Sequence, residues 1–362
     1  MDGRELKDGA RTGIGRYVIE VLRAASQDGW ECVVYGDHAT RLAISLPGVT
    51  LRVLPGRWTQ WWDQVTLPRQ LGSDQVSAFL SPYYKGPLRA PCPVVLTIHD
   101  LFFLDYPGQR RPFYRSVMTQ LARLYAHRAT AIIADSEYSR RSVVERLGLS
   151  PEKVTVIPVA LGAEFKPNPQ REVVRSRYGI MPPYILYVGN FKPHKNLARL
   201  IRAYAALPRL LRESHSLALA GGDRQGRAAL EALARTLGVG DRVFFPGLID
   251  DAELPALYSG CALFVLPSLV EGFGLPALEA MACGAPVAVA NRAALPEVVG
   301  PAALLFDPED EAAIAAAIAR VLSVAELRAD LAGWGLARAQ EFSPDRTARS
   351  VLALLREVCK AR

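Results

Sequence analysis

The chain has 362 residues, 50% of them hydrophobic and 22% charged, with a formal net charge of +7. That length exceeds one ordinary hydrophobic core and predicts about two domains, while the composition excludes a disordered or fibrous chain. The basic excess suits an anionic partner, but Lys and Arg are dispersed rather than gathered into an aromatic-interleaved patch, which argues against nucleic acid.

In chain order, Met1 is followed at once by Asp2-Gly3-Arg4, so a first strand is expected to be unusually short or to lack several residues. T-G-I-G-R-Y (12–17) then sets Gly13 and Gly15 in a loop before a helix predicted over 16–25, with Arg16 at its start. Trp58, Trp61 and Trp62, with Arg110, Arg111 and Arg115, admit two readings: core or acceptor-pocket lining, or peripheral contact with a membrane surface. Short apolar runs at 94–98, 131–134, 154–158, 184–188, 216–220, 243–245, 263–266 and 286–290 alternate with helical patterns at 139–147, 196–205, 226–237 and 311–322. That alternation is the signature of βαβ units and predicts an α/β chain of two doubly wound domains. Pro, Gly and charged residues cluster over 158–183, dividing domains of 1–165 and 166–343 from a last helix, 344–362. No apolar run reaches the ~18 residues of a membrane span and the N-terminal residues lack a signal peptide's apolar core, so a cytoplasmic location is expected. The five cysteines are far apart and never paired as C-x-x-C, and read as free thiols.

Candidate chemistry sits where predicted strands run into helices. In S-L-V-E-G-F-G-L-P-A-L-E-A-M-A-C-G-A-P-V-A-V-A (268–290), Gly272 and Gly274 open a loop, Pro276 suits the first helical residue, and Gly284 suits the helix end. A glycine loop entering a helix N-terminus is a ready anion site, because unpaired amides and the positive helix end point outward. Glu271 and Glu279, eight residues apart, are placed in the loop and the first helical turn, on either side of a bound diphosphate. The plain alternative for Glu279 is that it complements the helix dipole. A second cluster, Gly189-Asn190-Phe191-Lys192-Pro193-His194-Lys195-Asn196, also follows a strand and opens a helix. His99 ends the run 94–98, with Asp100 to orient it or cap the next turn; Ser136 or Ser139 caps the helix that follows 131–134.

The stretch E-G-F-G-L-P-x-L-E-A-M-A-C-G-x-P-V resembles the E-x7-E signature of retaining glycosyltransferase family 4, whose members have the GT-B fold, two Rossmann-like domains facing across a cleft. TGIGRY (12–17), TIHDL (97–101), ADSEYSRRS (134–142), YVGNFKPHKNL (187–197), LAGG (219–222) and VFFPGLIDDAELPALYSGC (243–261) follow in that family's order. The resemblance implies transfer of a hexose from a nucleotide diphosphate sugar to a saccharide or lipid-linked acceptor. It places Gly189, Asn190, Lys192, His194, Lys195, Gly272, Phe273, Gly274, Leu275 and Glu279 at the donor, with Glu271 and His99 at the transferred sugar. Gly13, Gly15 and Arg16 fall on the acceptor side, and the last helix returns toward the first domain. Many relatives carry an arginine near Asn190; its absence leaves the second cationic contact to Lys192 or His194. Similarity of V-G-N-x-K-P-H-K-N to polysaccharide-building members points to GDP-mannose as donor. With no D-x-D segment in the donor loops, neither a metal nor another cofactor is expected. The competing readings are a nucleotide-sugar-binding protein without turnover, or another GT-B activity such as an epimerase.

Overall fold

The computed structural model describes residues 1–7, 13–42, 44–56, 58–101, 112–222 and 224–360. Two compact units divide the chain: Met1–Ala160 together with Pro344–Arg362, and Leu161–Ser343.

In the first unit, strands β1 (Cys32–Gly36) and β2 (Val49–Val53) pair in parallel, and β3 (Phe79–Ser81), β4 (Val94–Ile98), β5 (Ala131–Ala134) and β6 (Val154–Val156) form a parallel sheet in that order. Residues 1–3 stand between β1 and β3. The Tyr35 N–H donates to Met1 O (2.8 Å), Gly3 N–H to Tyr35 O (2.8 Å) and Asp2 N–H to Leu80 O (3.0 Å). Strands β4 and β5 are buried at every position, as central strands of a parallel sheet covered on both faces must be.

The helix Pro344–Lys360 belongs to this unit. Its apolar stripe, including Ala348, Val351, Leu352, Leu355 and Val358, shares one core with Val18, Leu22 and Ala25 of the helix Gly13–Gln27. Thr347 Oγ1 donates to Pro158 O (2.9 Å), and Arg356 pairs with Asp28 (2.8 Å). The division falls after Ala160 rather than after Phe165. Leu161 N–H donates to Phe342 O (3.0 Å) and the buried Phe165 ring meets Tyr258 edge-on at 6.1 Å, so 161–165 pack with the second unit.

The second unit carries β7 (Tyr184–Gly189), β8 (Ser216–Gly221), β9 (Val243–Gly247), β10 (Leu263–Leu266), β11 (Val287–Ala290) and β12 (Leu304–Phe306) in one six-stranded sheet. The spatial order is β12-β11-β10-β7-β8-β9, every pair parallel. Chain direction across the sheet therefore reverses between β7 and β10, and in such sheets ligands bind outside the carboxyl ends of the strands at that reversal.

Leu352 is 1% exposed in the core shared by the Gly13–Gln27 and Pro344–Lys360 helices. Leu352→Ala is expected to cost about 2–5 kcal/mol, read as a lower denaturant midpoint of the first unit's transition.

Candidate functional site

The loops following β7 and β10 meet at the reversal point. Leu269 N–H donates to His194 O (2.8 Å), and Asn196 Nδ2 donates to Pro267 O (3.1 Å) and Pro308 O (2.7 Å), tying the two loops together at backbone level. Across this seam Lys195 Nζ donates to Glu271 Oε1 at 2.5 Å, and Ser268 Oγ donates to the same oxygen at 2.6 Å. The Lys195 and Glu271 side chains are only 12% and 8% exposed. At that depth solvent screening is weak, and each charge depends on the other.

The β10 loop enters the helix Leu275–Ala282 through Gly274, whose φ of 101° is left-handed. A Cβ there would run into Leu295 Cδ2, so both conformation and space require glycine. Pro276 lies in the first turn and Gly284, at φ 77°, follows the helix end. Two expectations are corrected. Phe273 turns its ring into the unit, edge-on to Phe342 at 5.7 Å and 6% exposed, so only its backbone can serve a ligand. Glu279 lies in the second turn of Leu275–Ala282, beyond the range of simple dipole compensation at the N-terminus. Its Oε2 instead accepts from Tyr258 Oη at 2.8 Å in the interior. Burial, then the Glu279 charge, push the Tyr258 phenol far above its ordinary range, so it is a donor at any working pH.

In the β7 loop, Gly189 is half-buried and Asn190 exposed, with Asn190 O accepting from Tyr187 Oη (2.7 Å) and its Oδ1 accepting from Lys192 N–H (3.2 Å). His194 is 4% exposed; burial first, then the Lys195 charge, push its pKa down to about 4. The ring is neutral near pH 7, which leaves exposed Lys192 as the charged member of that pair. An unfolded histidine takes its proton near 6.5, whereas folded His194 refuses it until about pH 4. The unfolded state binds more protons in that window, so stability falls as pH drops from about 6.5 to 4. His194→Gln should flatten this acid slope in urea titrations at a series of pH values.

In the first unit His99 follows β4, and its Nδ1 lies 2.8 Å from Asp135 Oδ2. Asp135, 3% exposed at the carboxyl end of β5, takes the orienting role expected of Asp100, which lies exposed one residue beyond. Burial is the largest influence on His99 and lowers its pKa, but the Asp135 charge and hydrogen bond, aided by the Asp100 charge and the Pro82 carbonyl, outweigh it and hold the ring above the usual histidine range. The Gly13–Gln27 helix begins at Gly13, so Gly13, Gly15 and half-buried Arg16 occupy its first turn rather than a loop before it. Its Tyr17 stands edge-on to His99 at 6.0 Å and shares a 3.2 Å hydrogen bond with Thr97 Oγ1. Ser136, not Ser139, caps the Glu137–Leu147 helix, accepting from Ser139 N–H at 3.0 Å. Trp62 is buried beneath the Arg4 guanidinium (3.9 Å), whereas Trp58 and Trp61 are exposed. Arg110 and Arg111 lie outside the described residues, as does the Arg115 side chain. Sequence reasoning did not single out Asp135, Tyr258 or Ser268; Asp135 and Ser268 could have been found as polar residues within two positions of a buried strand's carboxyl end. By NMR, His99 should titrate above the usual histidine range, and Asp135→Asn should lower its pKa, because the strongest influence that opposes burial is then removed.

Among the described residues no group of three or more His, Cys, Asp or Glu is arranged to hold a metal ion, and no helix is long and apolar enough to cross a membrane.

Two units built on parallel sheets, with polar and charged side chains gathered at their strand ends, place the chain in the GT-B class. Solved structures agree over nearly the whole length: sucrose-phosphate synthase from Thermosynechococcus elongatus (TM-score 0.78, 24% identity, 97% of this chain and 94% of that one) and Anabaena HepE in complex with UDP and glucose (TM-score 0.75, 21% identity, 97% and 98%). Residues 11–165 match the Glycosyltransferase Family 4 model and residues 170–333 the Glycosyl transferases group 1 model. The Escherichia coli O-antigen chain mannosyltransferase B is 32% identical over 252 residues, 69% of this chain and 66% of that protein. The serotype-specific mannosyltransferase WbdA of Escherichia coli is 34% identical over 271 residues, 71% of this chain but 32% of that protein. The chain thus spans about two thirds of the first relative's length and about one third of the second's. The chain belongs to the group 1, family 4 glycosyltransferases.

Proposed function

We propose that the chain transfers a hexose, mannose in preference, from a nucleotide diphosphate sugar to a saccharide or lipid-linked acceptor. The observation that carries this reading is the meeting of Lys195 and Glu271 at the strand-order reversal, a cation for a diphosphate beside a carboxylate for sugar hydroxyls. Lys195, Lys192 and the N-terminal end of the Leu275–Ala282 helix meet the charge that develops on the leaving diphosphate, an electrostatic arrangement set before reaction begins. Glu279, fixed by Tyr258, receives the ribose hydroxyls. Glu271 and His99 position the sugar, and Gly13, Gly15 and Arg16 shape the acceptor side.

The transfer retains anomeric configuration. The acceptor oxygen bonds to the anomeric carbon on the face from which the diphosphate departs, the bond to the phosphate oxygen breaks, and that oxygen takes the acceptor's proton. Neither a metal nor another cofactor takes part. GDP-mannose is the favoured donor, supported by the two relatives named as mannosyltransferases. The protein works in the cytoplasm, with exposed Trp58 and Trp61 suited to peripheral contact with the inner membrane face.

A panel of GDP- and UDP-sugars tests the reading. At a hundred times its dissociation constant the true donor adds ~2.7 kcal/mol of stability, and its slow hydrolysis or transfer should persist in EDTA with an axial anomer retained by NMR. Turnover lost in EDTA and restored by Mn²⁺ overturns the metal-free mechanism. Donor binding with no release of nucleotide identifies a non-catalytic binding protein.

A further inference from the structure

Glu271 Oε1 has two partners of different kinds. One is the Lys195 ammonium at 2.5 Å, carried by the β7 loop; the other is the Ser268 hydroxyl at 2.6 Å, carried two residues after β10 on Glu271's own loop. Ser268 is 0% exposed, and the loop beneath it is clamped by Asn196 Nδ2 donating to Pro267 O. A nucleoside diphosphate carries more negative charge than one carboxylate, so a donor entering this seam competes for the lysine. The hydroxyl is neutral, so a diphosphate competes for it less strongly than for the ammonium. A buried carboxylate that loses its cation without another donor becomes a costly isolated charge and turns away.

We propose that Ser268 is the positioning residue that keeps Glu271 aimed at the transferred sugar while Lys195 passes from Glu271 to the donor's diphosphate. The Lys195–Glu271 ion pair is then a holding arrangement, in which the two charges satisfy one another until a donor separates them. This rests on the reading of the site as a nucleotide-sugar site.

The experiment compares the wild-type chain with Ser268→Ala and Ser268→Cys, measuring kcat, donor KM, GDP affinity and thermal stability. Ser268→Ala should lower kcat about 10- to 100-fold, the loss of one hydrogen bond to a charged group, while donor KM and GDP affinity stay within about twofold. Ser268→Cys, which restores volume with a weak donor, should recover the thermal stability but not the rate. Wild-type kcat in Ser268→Ala overturns the proposal, as does a rate loss matched by an equal loss of GDP affinity or repaired by cysteine. Absence of nucleotide binding and turnover in the wild-type chain overturns the underlying reading and this proposal together.

Discussion

The reversal of strand order between β7 and β10 is the constraint from which the second unit's site follows. Those strands lie side by side, Ile185 opposite Leu263 and Leu186 opposite Phe264, yet each leads to a different neighbour in sequence. Their crossovers run to opposite sides of the sheet, so the two loops stand side by side at the carboxyl edge, where Leu269 N–H and Lys195 Nζ join them. Everything proposed to touch the donor diphosphate and sugar from this unit comes from those two loops. The wall beside them is packed backbone to backbone: Gly221, with φ of 96°, lies so near Gly189 that a Cβ would strike its carbonyl oxygen.

A recurring device handles the titratable groups singled out at the strand ends of both units. Each is held by a fixed partner: Glu271 by Lys195 and Ser268, Glu279 by Tyr258, His99 by Asp135. Taking an ion out of water is costly unless the interior supplies donors or opposite charge in fixed geometry. The same fixing makes the groups useful, because dipoles and charges that are already oriented need no rearrangement when charge moves in a reaction. His194 obeys the rule from the other side: buried beside a lysine, it stays neutral.

Elements with continuous apolar sequence were legible. Val94–Ile98, Ala131–Ala134 and Leu263–Leu266 are strands at the residues their composition marks, since central parallel strands are buried on both faces. Strands β1, β2, β3 and β12 were not legible, because three-residue runs such as Phe79–Ser81 and Leu304–Phe306, or the largely exposed Val49–Val53, carry little periodic signal. Glycine and proline marked where the loops after β7 and β10 lie, and their spacing located Glu271 and Lys195. What spacing could not supply was depth. Only three-dimensional packing shows that Phe273 faces inward, that Glu279 meets a tyrosine 21 positions earlier, or that His99 turns to Asp135 across 36 positions rather than to adjacent Asp100.

The two units also differ in how their chain is laid out. The second is one uninterrupted stretch, Leu161–Ser343, whereas the first needs Pro344–Lys360 to cover the apolar stripe of Gly13–Gln27. During synthesis the second unit has all its parts once residue 343 leaves the ribosome, while the first lacks the part of its core that Pro344–Lys360 supplies to Val18, Leu22 and Ala25 until that helix emerges. A helix with a bare apolar face is an aggregation hazard in a nascent chain. Of the two units, the one begun earlier is thus completed later, and it is there that a chaperone has more to protect.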